Sequence, residues 1–74
     1  MRLFRVKINY GNGNFHMRMH QSLEGARRYL ESQGFSPDPN ERSASWERWE
    51  RCHGSAAGVP LIYSASILAT LAHD

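Results

Sequence analysis

The sequence holds a single cysteine, Cys52, so no intrachain disulfide can staple the fold. Small secreted domains usually depend on such staples, and their absence points to a cytoplasmic setting. Long hydrophobic runs are also missing. The most apolar stretch, Val59 to Ala72, is broken by Pro60, Ser64, Ser66 and Thr70. It falls short of the roughly 20 residues that a membrane-spanning helix needs. The segment Met1-Arg2-Leu3-Phe4-Arg5-Val6-Lys7 lacks the continuous apolar core of a secretory leader. A soluble, cytoplasmic chain with no membrane contact is expected.

The motifs of several chemistries are absent too. No serine sits in a Gly-x-Ser-x-Gly elbow, and no glycine-rich phosphate loop precedes a helix. No cysteine or histidine pair has zinc-ligand spacing. His16 and His20 share one strand face but lie about 13 Å apart at the usual rise, too far to hold one ion. No metal or cofactor is expected, and the chain is read as a non-enzyme. A small nuclease using His16 or His20 as its base is the enzymatic alternative.

What is present is a compact set of patterns. Seventy-four residues, 41% hydrophobic and 22% charged, make one domain of ordinary globular composition. Phe4, Val6, Ile8 and Tyr10 alternate with Arg5, Lys7 and Asn9; after Gly11-Asn12-Gly13-Asn14, Phe15, Met17 and Met19 alternate with His16, Arg18 and His20. Two alternating runs around residues that tolerate positive φ predict a β-hairpin. Ser22 can cap a helix over about 23–33, with Leu23, Ala26, Tyr29 and Leu30 on one side and Gly34-Phe35 closing it. Arg27 and Glu31 are spaced to pair on its outer surface.

Ser36-Pro37-Asp38-Pro39-Asn40 reads as a loop. The next segment is divided. Asp38-Pro39-Asn40-Glu41 has capping-box spacing, and Trp46 with Trp49 and Glu47 with Arg51 stand at helical spacing. Against a helix, Ser43-Ala44-Ser45 is weak helix material, and a strand over about 44–52 would pair with the next run. The strand is the preferred reading. Its two tryptophans then fall on opposite faces, one in the core and one exposed. His53 to Gly58 reads as a flexible connection, and Val59 to Leu71 as a strand, with a short terminal helix over Ser64 to Ala72 as its alternative.

The fold that follows is α+β: a two-layer ββαββ domain, an antiparallel sheet with one helix packed on one face. Its expected core is Phe4, Val6, Ile8, Phe15, Met17, Met19, Leu23, Ala26, Leu30, Phe35, Leu61, Tyr63 and Ile67. The other sheet face must meet water or a partner. A homodimer is expected to form there, with Leu61, Tyr63 and the exposed tryptophan contributing.

Charge is distributed unevenly. Residues 1–20 carry Arg2, Arg5, Lys7 and Arg18 and no acid, giving +4, while the remainder sums to −2. Alternation is expected to place Arg5, Lys7, His16, Arg18 and His20 together on the face away from the helix. Such a face attracts phosphates or an acidic protein patch. A solvated sheet face is also charged by default, so the pattern has a purely structural reading as well. Trp46 and Trp49, beside Arg48 and Arg51, add residue types common at interface hot spots. The expected partner is an acidic macromolecule, either a protein complex or a nucleic acid.

The hairpin, the helix ending in Leu-Glu-Ser-Gln-Gly-Phe (residues 30–35) and the Trp-rich and apolar strands resemble small stand-alone bacterial and phage proteins. In size and build the chain is similar to anti-CRISPR proteins, which disable CRISPR–Cas complexes. That resemblance implies a protein that docks on a host nucleic-acid-handling complex and inhibits or regulates it. A nucleic-acid-binding regulator is the alternative.

Overall fold

Alternating sequence builds most of this molecule. The computed structural model describes residues 2–11 and 13–71. Among these residues it has strands β1 (Arg2–Gly11) and β2 (Asn14–His20), helix α1 (Leu23–Ser32), then β3 (Ser36–Arg42), β4 (Trp46–Ala56) and β5 (Val59–Leu71). The strands form one antiparallel sheet in the order β2-β1-β5-β4-β3. The α+β class stands. The arrangement is ββαβββ rather than ββαββ, because an additional strand follows the helix. Asn12, at the predicted turn, and Ala72, at the end of the alternative terminal helix, lie outside the described residues.

The helix follows its sequence signals closely. Ser22 caps it by accepting a hydrogen bond from the Gly25 N–H at 3.0 Å. At the other end Gly34 takes φ +87°, and the Phe35 N–H donates to the Leu30 carbonyl at 3.0 Å. This is a Schellman closure, and it turns Phe35 into the core beside Leu30. The expected Arg27–Glu31 pair does not form; Arg27 instead reaches Glu47 on β4, while Arg28 pairs with Glu24.

The additional strand is β3, where a loop was expected. Two prolines exclude a central strand but not an edge one, since an edge needs only one side of its ladder. β3 pairs with β4 only at Ser36, Pro37 and Arg42, with an irregular stretch between Pro37 and Arg42. There Asp38 Oδ1 accepts from the Asn40 N–H at 2.9 Å, so the residue suited to a helix cap serves a local turn. The 44–52 segment is a strand, as preferred, and continues to Ala56. His53 to Ala56 therefore belongs to an extended arm rather than a flexible connection. The arm turns at Ala57 and Gly58, whose φ values of +52° and +79° suit a two-residue hairpin.

The core lies between α1 and one sheet face: Val6, Ile8, Ala26, Leu30, Phe35, Trp49, Ala65 and Ile67 are buried, with Phe4, Leu23, Tyr29 and Tyr63 packed against them. Phe15, Met17 and Met19 are not core. They are 56%, 50% and 49% exposed, and Leu61 is exposed as well.

The reason is a single irregularity in the hairpin. The turn is closed by Gly11 opposite Asn14, a register that would continue with Ile8 opposite Met17 and Val6 opposite Met19. Between Asn9 and Gly11 the register shifts by one, so Ile8 pairs with His16 and Val6 with Arg18. One extra residue on β1 turns every side chain of β2 to the other face. The Gly11 N–H donates to Asn9 Oδ1 at 3.0 Å, and Gly11 takes φ +83°. A Cβ at Gly11 would meet nothing within 4 Å, so the cost of adding one is confined to the backbone. Gly11→Ala should therefore lower stability by about 1–2 kcal/mol in urea unfolding. An unchanged midpoint would mean that this glycine does not hold the bulge.

Candidate interaction surface

Side chains that face each other across an antiparallel ladder share a face. Reading the registers across β2, β1, β5 and β4 gives three rows on the side away from α1. The first is Met19, Arg5, Leu68 and Trp46; the second is Met17, Lys7, Ser66 and Arg48; the third is Phe15, Asn9, Ser64 and Glu50. This open face thus has an apolar column on β2, a cationic column on β1, hydroxyls on β5 and a Trp–Arg–Glu column on β4. Among these residues three cations stand against one carboxylate. Lys7 Nζ lies 5.0 Å from the centroid of the Phe15 ring, which joins the apolar and cationic columns.

Lys7, Asn9, Trp46, Arg48, Ser64 and Ser66 border a shallow depression of about 190 Å³ on this face. Among the described residues the Arg48 Nε is shielded from solvent and has no hydrogen-bond partner; its ion-pair contact with Glu50 Oε1 is 3.4 Å long. That distance exceeds the usual N–H···O range.

The expected docking residues divide between the two faces. Arg5, Lys7, Trp46 and Arg48 come together on the open face. His16, Arg18 and His20 do not join them, because the bulge places them on the helix side. Arg18 lies over the Tyr29 ring at 4.8 Å, and the His20 ring packs on Tyr29 at 5.3 Å, so both fasten β2 to α1. Trp49 is 2% exposed and belongs to the core, whereas Trp46 is half-buried on the opposite face. That division of the tryptophans is the one the strand reading implied. Sequence reasoning left out Ser64, Ser66 and the β2 apolar column as surface groups. The Asn9-x-Gly11 pairing ahead of the turn was the available signal for the inversion, since such residues favour a bulge with positive φ.

A second polar cluster serves the fold. Glu47 points to the helix side, where both carboxylate oxygens accept from Arg27 and Oε1 also accepts from Trp49 Nε1 at 3.1 Å. The Arg27 hydrogen bond holds the Glu47 carboxyl below its ordinary value of 4.5, against the opposing effect of burial. Among the described residues, no group of three or more His, Cys, Asp or Glu side chains is placed to hold a metal ion.

His20 sets the first acid response. Burial, and secondarily the charge of Arg18, lowers its pKa from the ordinary 6.5. The unfolded chain then takes up a proton near that value while the folded chain resists it. Stability present above about pH 6.5 should decline as pH falls toward the folded-state pKa, and Glu47 should add its own loss below about 4.5. Thermal melting across pH 5–7.5 checks this: His20→Gln should flatten the upper part of the profile. An identical slope in the variant would assign that decline to another group.

Comparison of the chain with family models, curated proteins and solved structures found no match.

Proposed function

We propose that this protein is a non-enzymatic docking module whose open sheet face binds an acidic macromolecular partner. In this reading the partner is a host nucleic-acid-handling complex, which the module inhibits or regulates in the manner of anti-CRISPR proteins. The carrying observation is the register that gathers Arg5, Lys7 and Arg48 with Trp46 and an exposed Phe-Met-Met column on one uncovered face. Cations supply attraction and orientation, while apolar side chains supply the area that becomes desolvated. Methionines suit such a surface because their flexible thioethers adapt to a partner's contours.

The test is capture of nucleic-acid-handling complexes from host lysate, followed by elution in rising salt. The expected complex is retained at low salt, released as salt rises, and slowed in its activity by added protein. Retention that is indifferent to salt would contradict a cationic docking face.

Self-association belongs to the same proposal, through the arm formed by the ends of β4 and β5. No charged residue occurs from Cys52 to Tyr63, and Val59, Leu61 and Ile62 are exposed there. Sedimentation at high micromolar concentration should give a mass above 8.5 kDa, and that monomer mass would exclude the dimer.

A further inference from the structure

The depression on the open face suits a narrower class of ligand than an acidic partner in general. Lys7 and Arg48 lie in one row with Ser66 between them, two strand spacings or about 10 Å apart. An anion above Ser66 would meet a hydroxyl beneath and a cation from either side once Lys7 turns from the Phe15 ring and Arg48 from Glu50. Trp46 stands next to Arg48 on the same strand face and also borders the depression, offering a flat apolar surface beside that anion seat. Asn9 and Ser64 supply an amide and a second hydroxyl at the opposite side. A phosphate next to a stacking ring, with neutral donors and acceptors within reach, is the chemistry of a nucleotide unit.

The volume argues for a unit within a chain rather than a free small molecule. About 190 Å³ is less than the roughly 300 Å³ at which pockets for drug-sized ligands begin. The depression is shallow, and the same face carries Arg5 one row from Lys7 and Phe15 opposite Asn9, so neighbouring units have further cationic and aromatic groups within reach. A duplex hides its bases' faces, whereas a single strand can present one to Trp46. We infer that the direct ligand of the open face is single-stranded nucleic acid, with a phosphate between Lys7 and Arg48 and the adjoining base stacked on Trp46. This rests on the docking reading above and names the partner's contacting chemistry.

Fluorescence anisotropy with a labelled oligothymidine of about ten nucleotides tests it, beside a duplex of the same length. The single strand should bind more tightly than the duplex, and increasingly so as salt falls. Trp46→Leu should weaken binding by about 5- to 100-fold, whereas Trp46→Phe should retain most of it. Arg48→Gln should reduce the slope of log affinity against log salt by about one, while Arg18→Gln on the helix side leaves the slope unchanged. Circular dichroism melting of each variant separates loss of ligand from loss of fold. Tighter binding of the duplex, or an unaffected Trp46→Leu variant, overturns the inference. Should the oligonucleotide fail to bind while a lysate partner is captured and lost on charge reversal of the open face, the inference falls and the docking reading stands. Should the captured partner survive charge reversal, the docking reading falls too.

Discussion

Trp49→Ala is expected to leave the chain largely unfolded at 25 °C. The indole is buried between the sheet and α1, and its Nε1 donates to Glu47, itself held by Arg27. Truncating a buried tryptophan costs about 3–5 kcal/mol from lost transfer energy and the cavity left behind. A domain of this length has only about 4–11 kcal/mol in total. Small size places it toward the lower part of that range, because less of its surface is buried on folding. Trp46→Ala is the matched control, three residues away on the same strand and on the opposite face. It should cost no more than about 1 kcal/mol, since the side chain is half-exposed at the start of β4. Urea unfolding followed by circular dichroism measures both. Equal losses would mean that the two tryptophans are not on opposite faces.

Reversing Arg5, Lys7 and Arg48 together to glutamate should leave melting nearly unchanged and remove partner binding. All three are at least partly exposed on the open face, and the one acidic neighbour among its rows is Glu50. Exposed charges contribute little to stability, so the fold should lose no more than about 1 kcal/mol. Binding differs because the substitution replaces attraction with repulsion over the whole surface. A loss on the order of 3 kcal/mol or more, beyond about 100-fold in affinity, is expected from close charge pairs. Titration of the captured partner, compared with the wild-type protein at matched salt, is the measurement. Full-strength binding by the folded variant would remove the open face from the function.

Much of the fold was legible because local signals and tertiary demands agree. Ser22, Gly34 and Phe35 mark the helix ends by chemistry that acts within a few residues, so neighbours in sequence suffice to read it. β1 and β5 alternate cleanly and occupy central places, where burial enforces the pattern. β3 was missed because Pro37 and Pro39 are tolerated only at an edge, and which segment becomes an edge is a property of the whole sheet. The arm was missed because small residues such as Gly54, Ser55 and Ala56 carry little strand signal of their own.

The candidate site was half legible for a sharper reason. Alternation places residues on two faces but does not say which face of β2 matches which face of β1. The bulge before Gly11 decides that, and it sends Phe15, Met17 and Met19 outward while turning His16, Arg18 and His20 toward the helix. An apolar run of three reads as core on the ordinary expectation that apolar means inside. In a sheet covered on one face only, an apolar column can lie on the other, and there it supports the proposed docking face rather than the core. Arg5 and Lys7 kept their expected place because β1 is fixed by its buried neighbours Val6 and Ile8.

The central claim is that the hairpin's two faces have different duties, one docking and one fastening β2 to α1. Lys7→Glu and Arg18→Glu test it most directly, since each changes the charge by the same amount within the same hairpin. Affinity for the partner should be measured for both at a salt concentration that screens charges beyond about 8–10 Å. The account predicts that Lys7→Glu loses binding with its melting temperature intact. Arg18→Glu should bind as the wild type does and melt lower, having lost its contact with Tyr29. Equal losses of affinity in the two variants, or a greater loss in Arg18→Glu, would contradict it.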